Sequence, residues 1–395
     1  LFVRSSIGPS RRIAQVQAPA IPIVGDWIRA TPGTISLGQG VVAYGPPPEA
    51  LARIQDFFAD PLNHRYQPVQ GITPLLERLT HKLAAENGVQ VGCERALVVT
   101  AGGNMAFLNA VLAIVDPGDE VLITAPYYFN HEMAIAIAGA RAVAVPTDDG
   151  YQLRLDALEA AITPRTRAVV TISPNNPTGA VYAEQDLRAV NELCRRRGLY
   201  HISDEAYEYF TWNGARHFSP ASIAGSASHT IGLYSLSKSF GFASWRIGYM
   251  VVPGTLFEPI RKIQDTNLIC PPVISQWAAV GALEAGRAYC TSKLQAMAET
   301  RRVVLERLGA AGDVCRVPAA DGAFYVLLEV ANAMDSMHLA ERLVREHRVA
   351  VMPGSTFGVA DRCALRVSYG PLLPDTAAEG IDRLIGGLRA IAGER

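Results

Sequence analysis

Cysteine is scarce in this chain and never arranged as a ligand set or a redox pair. Six cysteines are scattered through 395 residues, at Cys93, Cys194, Cys270, Cys290, Cys315 and Cys363. None forms a CxxC pair or a zinc-ligand spacing, so no metal centre is expected. A reducing, cytoplasmic compartment fits that usage. A surplus of charge of either sign is missing too. The 36 basic and 37 acidic residues leave a formal net charge of -1, which gives nucleic acid or an acidic membrane surface nothing to bind. The densest basic run, Arg195-Arg196-Arg197, closes a helical pattern, where cations meet the negative end of the helix dipole. No apolar run reaches the roughly 18–20 residues that span a bilayer. The opening stretch, LFVRSSIGPSRRIAQV, lacks the apolar core of a signal peptide and is expected to be a mobile arm or a cloning remnant.

The chain is 49% hydrophobic and 18% charged, enough to bury a sizeable core in two domains or one large domain with an appendage. Its middle alternates short β-branched runs with helical patterns. Strands are expected at Ala96–Thr100, Glu120–Ala125, Ala142–Pro146, Ala168–Ile172, Tyr200–Ser203, Ile231–Leu236 and Ile247–Val252. Helices are expected at Asn104–Val115, His131–Ala140, Leu153–Ile162 and Gln185–Arg197. Such alternation implies an α/β fold with a mostly parallel sheet covered by helices, whose ligands bind at the carboxyl ends of the strands. The texture changes after Pro271-Pro272. One or two long helices are expected over Ser275–Leu308, strands at Ala323–Val330, Val349–Met352 and Ala364–Ser368, and helices at Met337–His347 and Thr376–Ala392. The expected division is a large domain over residues 46–270 and a smaller α+β domain from residues 1–45 and 271–395, with an N-terminal arm. The first part, broken at Gly38–Gly40 and Gly45–Pro48, is expected to cross over and pack near the smaller domain.

Four segments fall where such a sheet places a ligand. Ala101-Gly102-Gly103-Asn104 follows a strand and opens a helix. Small residues there let backbone N–H groups approach an anion, although an ordinary strand-to-helix turn looks the same. Ser173-Pro174-Asn175-Asn176-Pro177-Thr178-Gly179 forces a loop, and Asn176 can donate to an anionic oxygen; a plain turn uses the same residues. Asp204, in Ser203-Asp204-Glu205-Ala206-Tyr207, closes a buried strand, where a carboxylate is costly unless paired. It could hold a protonated ring nitrogen, or Asp204 or Glu205 could cap the next element. Ser235-Leu236-Ser237-Lys238 puts a lysine at a strand end, where burial and nearby cations make an amine nucleophilic. Arg246, eight residues on, offers a fork for a phosphate. Taken singly, a lysine is most often a solvated surface residue.

Together and in this order, the segments resemble the fold-type I, class I/II aminotransferases that depend on pyridoxal 5'-phosphate, from about residue 30 to residue 390. The resemblance implies a seven-stranded sheet in the large domain. It makes Lys238 the lysine that carries the cofactor as a Schiff base and moves the substrate proton. Asp204 matches the acid on the pyridine nitrogen, with His131 behind it. Tyr207 and Asn176 match the donors to the ring oxygen O3′, and Tyr128 matches the aromatic residue stacked on the ring. Gly103, Asn104, Ser235 and Arg246 would form the phosphate cup, although the family usually has a hydroxyl or aromatic residue near Asn104. Tyr66 matches a tyrosine that reaches the phosphate of a neighbouring subunit, which implies a homodimer with shared active sites. Arg366, in Leu365-Arg366-Val367-Ser368, matches the clamp for the substrate α-carboxylate, with Asn176 and the backbone of Gly40 beside it.

The implied activity is ping-pong transfer of an amino group from an L-amino acid to a 2-oxo acid. The side-chain pocket is expected to take Val41, Val42 and Tyr44, with residues near Asn267–Cys270 from the other subunit. These are neutral and include no second arginine, so an aromatic or methionine-like donor is expected. The same scaffold hosts C–S lyases and cyclising or eliminating enzymes, which stay open as alternatives. Related domains also bind effectors in transcription regulators with an added winged helix, for which the stretch ahead of the match is expected to be too short. A nicotinamide-dependent dehydrogenase would need a GxGxxG fingerprint, which is absent here, and leaves Lys238 unexplained.

Overall fold

Seven strands form one sheet in the spatial order Arg95–Thr100, Gly248–Pro253, Thr230–Ser235, Tyr200–Asp204, Thr166–Ile172, Glu120–Ala125 and Arg141–Pro146. Neighbours run parallel except Gly248–Pro253, which is antiparallel to both of its partners. This is a computed structural model, and it describes residues 8–332 and 334–394. Residues 1–7 of the expected arm lie outside them.

The central strands read as unbroken apolar runs because both faces are covered. Val169, Val170, Ile202, Ile231 and Leu233 are all buried, and each such side chain contributes about 1.5–3 kcal/mol by leaving water. The helix Gly103–Ile114 lays Ala106, Phe107, Ala110, Val111 and Ile114 on one face of that sheet, a spacing of three and four residues that the helical period dictates. It stops at Val115, ahead of Asp116-Pro117-Gly118, because the residue before a proline is pushed out of the helical region and Pro cannot continue the ladder. The helix Glu184–Arg197 carries Glu184 and Asp186 in its first turn and three arginines in its last, and Gly198 caps it in the left-handed conformation.

A second, antiparallel sheet has the order Met352–Pro353, Ala364–Ser368, Tyr325–Val330, Cys315–Arg316. Its core joins Phe324, Val326, Leu328, Leu365 and Val367 to Ile381, Leu384 and Leu388 of the helix Pro374–Ala392. The N-terminal segment crosses to this side, where Ile35–Ser36 pairs parallel with Val349–Ala350. The expected strand Val349–Met352 is therefore split. The chain changes partner at Val351, and Met352–Pro353 pairs instead with Leu365 and Arg366.

The expected long helix runs Val273–Gly309, with a break at Gly286 (φ 62, ψ -160), a conformation essentially open only to glycine. Ala278, Ala279 and Ala282, ahead of the break, pack into a core cluster with Leu97, Val99 and Val251 of the seven-stranded sheet. Val304 and Leu308, beyond it, belong to the core of the smaller sheet. Helices at Ala20–Ala30, Pro48–Ala59, Thr73–Lys82 and Phe257–Asn267 add to those expected. Pro22 and Gly25 inside the first of these mask its helical pattern.

Candidate active site

The strands ending at Thr100, Ile172, Asp204 and Ser235 open onto one cavity of about 420 Å³. The N-terminal segment and the smaller sheet close its other side with Gln39, Gly40, Val41, Tyr325 and Arg366. Parallel strands deliver their carboxyl ends to one edge, so residues far apart in sequence meet there.

One end of the cavity is built for an anion. Gly102 precedes the helix Gly103–Ile114 with φ 84 and ψ 170, a backbone that side chains rarely tolerate. A Cβ at Gly102 would fall on the Arg246 guanidinium, 2.7 Å from Cζ. That guanidinium donates to the carbonyls of Ala243 (2.9 Å) and Ala101 (3.3 Å), and its five donors leave more for a ligand. Arg246 itself takes φ 56, a conformation a non-glycine residue holds only when its surroundings compensate. The free N–H groups of the helix start at Gly103 and Asn104 face the same end. The Ser235 hydroxyl accepts from Ser237 N at 3.2 Å and keeps its own proton to give.

A carboxylate stands at the last residue of a central strand. Asp204 Oδ2 lies 3.0 Å from His131 Nε2, and Oδ1 accepts from Ala206 N at 3.1 Å. His131 is buried and stacks on Phe107 with ring centroids 3.8 Å apart. The nitrogen facing the carboxylate is assigned the proton by that acceptor. Tyr128 also lines the cavity, with its hydroxyl held by Asn130 Nδ2 at 2.7 Å and Asn104 Oδ1 at 3.4 Å.

The opposite end carries the other cation. Arg366 is 2% exposed. Its Nη1 donates to Asn176 Oδ1 at 2.9 Å and its Nη2 to Gly38 O at 2.7 Å, while Nε has no protein partner. That Nε is enclosed by protein; Nη1 and Nη2 each keep a second N–H, and those are the donors a ligand oxygen could meet. Asn176 Nδ2 approaches the Tyr207 hydroxyl at 3.4 Å.

Lys238 sits between the two cations on the turn Leu236–Ser239. Its amine donates to Gly40 O, and its backbone carbonyl accepts from the Tyr44 hydroxyl at 2.9 Å. Burial, then Arg366 and Arg246, lower the amine from its ordinary value of 10.5 to about 8. A lysine so depressed can act as nucleophile and base near neutral pH.

These features fit pyridoxal 5'-phosphate. The glycine cradle with Arg246 suits a phosphate, the Asp204–His131 pair suits a protonated ring nitrogen, and the amine of Lys238 lies between that end and Arg366. Gly40, Gly103, Asn104, Tyr128, Asn176, Asp204, Tyr207, Ser235, Lys238, Arg246 and Arg366 all line the one cavity. Tyr66 does not; it is 81% exposed. Of the expected side-chain pocket, Val41 lines the cavity, but Val42 and Tyr44 do not. Both are half-buried against the core cluster that contains Tyr325, and the Tyr44 hydroxyl is spent on the Lys238 carbonyl. Ile21, Gln39, Phe129, Ala206, Ser237 and Tyr325 line the cavity without having been singled out. Ser237 stands inside the Ser-x-x-Lys segment and could have been found there. Tyr325 opens an apolar strand, where nothing separates it from a core aromatic. Among the described residues, no group of three His, Cys, Asp or Glu is disposed to hold a metal ion, and no helix is long and apolar enough to cross a membrane.

Comparison with known proteins places the chain in a family. The family described as aminotransferase class I and II matches residues 32–384. The chain is 32% identical over 380 residues to aromatic-amino-acid aminotransferase 2 of Thermococcus litoralis, across 95% of this chain and 97% of that protein. It is 38% identical over 311 residues to the aspartate/prephenate aminotransferase of Thermus thermophilus, across 77% of this chain and 78% of that one. A solved double mutant of the Thermus thermophilus aspartate aminotransferase superposes with a TM-score of 0.89 at 33% identity, covering 97% of this chain and 100% of the other.

Proposed function

We propose, for a chain that belongs to the class I and II aminotransferases, that Lys238 carries pyridoxal 5'-phosphate and that the cavity moves the amino group of a neutral L-amino acid, aromatic or methionine-like, to a 2-oxo acid. The observation that carries this is the place of the Lys238 amine, its pKa lowered to about 8, in a cavity lined by Arg246 and Arg366.

Bound cofactor supplies a protonated pyridine ring that takes up the electrons left on the substrate Cα when its proton departs. The protein does the rest. Gly103, Asn104, Ser235 and Arg246 hold the phosphate and so fix the ring's position. Asp204, steadied by His131 and the Ala206 N–H, keeps the ring nitrogen protonated. Tyr128 covers a ring face. Tyr207 and Asn176 donate to the ring oxygen O3′. Arg366 and Gly40 orient the substrate by its carboxylate, with Asn176 as the third contact. Lys238, with its amine free, would take the proton from the substrate Cα and give it back on the cofactor side. A second 2-oxo acid reverses the sequence.

Two features support the side-chain preference. Ile21, Val41 and Phe129 give the lining an apolar part. Among the described residues of one chain, the cations in that lining are Lys238, Arg246 and Arg366, and each already has a task, so a side-chain carboxylate would need a cation from elsewhere. A dicarboxylic donor is the second reading, favoured by the 38% identity to an aspartate/prephenate enzyme. Initial rates with phenylalanine, tyrosine, methionine and aspartate, each with 2-oxoglutarate as acceptor, separate the two. The expected order puts kcat/KM for the neutral donors at least about 10-fold above aspartate; the reverse order overturns the preference.

The working unit in this proposal is a homodimer with shared sites. Leu51, Phe58, Leu62 and Tyr66 are each more than half exposed within one short stretch, and apolar surface gathered in this way is typical of an interface. Tyr66 would then complete the phosphate site of the partner subunit. The proposed domain division stays at residues 46–270 against 1–45 with 271–395, with the first part of the helix Val273–Gly309 leaning on the larger body.

A further inference from the structure

Tyr325 belongs to none of the motifs that mark the cavity, yet it touches three of its groups. It opens the strand Tyr325–Val330 of the smaller sheet and is 1% exposed. Its hydroxyl lies 2.9 Å from the Tyr207 hydroxyl. The face of its ring carries the Arg366 guanidinium, 4.5 Å from centroid to Cζ, with the Phe357 ring at 4.9 Å from the same carbon. A Cβ at Gly40 would stand 2.5 Å from the Tyr325 hydroxyl, so the segment whose carbonyl receives Lys238 lies close to that oxygen. A tyrosine that merely filled the core would need apolar neighbours and one partner for its hydroxyl. This one bridges the carboxylate clamp and a proposed cofactor contact.

We propose that Tyr325 is a positioning residue with two separable tasks: its hydroxyl turns the Tyr207 proton toward the cofactor's O3′, and its ring holds the Arg366 guanidinium in place for the substrate carboxylate. This rests on the function proposed above. The direction of the first task follows from proton counting. A tyrosine has one proton to give. Where Tyr207 gives its own to the cofactor oxygen, it can only accept along the 2.9 Å contact, so Tyr325 donates. Asn176 Nδ2 stands 3.4 Å from the same oxygen, but its two N–H groups are needed for O3′ and the substrate carboxylate, so Tyr325 is the main donor to Tyr207. Donors in series strengthen the last bond of the chain. Burial pushes the Tyr325 hydroxyl up to about 12 and Tyr207 well above its ordinary value, so both stay protonated over any working pH. The second task follows from packing. Nη1 and Nη2 of Arg366 are tied to Asn176 and Gly38, and the rings of Tyr325 and Phe357 lie against its Cζ, holding the plane those two bonds define. A cation–π contact out of water is strong enough to do so.

The holoenzyme forms of Tyr325→Phe and Tyr325→Leu test this with two readouts, the pH midpoint of the visible cofactor band and the KM for the amino donor. Tyr325→Phe keeps the ring and loses one oxygen. Its midpoint is expected to rise by about 0.5–1 pH unit, because a supporting hydrogen bond to O3′ is weakened, while KM stays within about 2-fold. Tyr325→Leu is expected to show the same rise together with a KM increase of roughly 10-fold. An unchanged midpoint in Tyr325→Phe overturns the hydroxyl's task, and Tyr325→Met takes the leucine variant's place for the ring's task if that protein does not fold. An unchanged KM in a folded Tyr325→Leu overturns the ring's task. Failure of the unaltered protein to develop a visible band with pyridoxal 5'-phosphate would instead overturn the proposed function and this inference with it.

Discussion

Replacing Gly102 by alanine should damage cofactor binding without touching any residue that performs chemistry. Gly102 has φ 84 and ψ 170, a region essentially reserved for glycine, and forcing alanine into it costs about 1–3 kcal/mol. That strain is present with or without cofactor, so it lowers the stability of both forms alike. The second effect is specific to the ligand. The new Cβ would stand 2.7 Å from Arg246 Cζ and 3.0 Å from Nη1, closer than real Cβ contacts permit. The guanidinium must withdraw, loosening its bonds to Ala101 O and Ala243 O and leaving the phosphate without its charged donor. A charge-assisted bond contributes about 1.5–3 kcal/mol, equivalent to roughly 10- to 150-fold in affinity. The assay is an equilibrium titration of cofactor-free wild type and Gly102→Ala with pyridoxal 5'-phosphate, followed by absorbance, with a denaturant melt of each apo protein alongside. An affinity within about 2-fold of wild type, in a protein that melts earlier as expected, would refute the placing of the phosphate against Arg246.

Arg366→Lys replaces a planar fork by a point charge; kcat/KM for the amino donor is expected to fall by roughly 10- to 100-fold, mainly through KM, with the cofactor band unchanged. An unaltered KM would remove Arg366 from the carboxylate site. Lys238 predicts a pH effect in the cofactor-free protein. Its folded pKa is lowered from 10.5 to about 8, so between those values the unfolded chain binds the extra proton and stability rises with pH. Below about pH 8 the buried ammonium costs the native state up to about 3 kcal/mol, a cost that Lys238→Met escapes. Urea midpoints should therefore favour Lys238→Met at pH 7 and converge with wild type by pH 10.5; a gap that does not change with pH contradicts the lowered amine. Tyr66→Phe is expected to loosen the cofactor by roughly 3- to 10-fold in a protein that sediments at twice the chain mass. Sedimentation as a monomer would remove Tyr66 from any phosphate site.

The large sheet was legible because parallel strands covered on both faces are continuous apolar runs, as in Ala168–Ile172, and because glycine and proline mark their ends. The cavity residues were legible for a different reason. Gly103, Asn176, Asp204 and Lys238 each stand at or just past the carboxyl end of a strand, and Arg246 just ahead of one, so locating the strands located the residues. What stayed hidden depends on three-dimensional neighbours. Val42 and Tyr44 share a segment with Val41, and only their contacts in the fold decide that they turn away from the cavity. Tyr325 has the same local pattern as the core aromatic Phe324 beside it and differs by facing Arg366. The run Val349–Met352 looks like one strand because nothing local records a change of partner at Val351. The task of Tyr66 needs a second chain, which one chain's periodicity does not describe.

The central claim is that Lys238 carries the cofactor through an amino-group transfer, and the half-reaction tests it most directly. Purified protein is loaded with pyridoxal 5'-phosphate, its visible band is recorded, one amino acid is added without any 2-oxo acid, and the released cofactor is identified. The account predicts that the band disappears, that pyridoxamine phosphate and the matching 2-oxo acid appear in equal amounts, that a 2-oxo acid alone restores the band, and that Lys238→Ala does none of this. Ammonia and pyruvate from a thioether amino acid, with the band intact and no pyridoxamine phosphate from any donor, would contradict it.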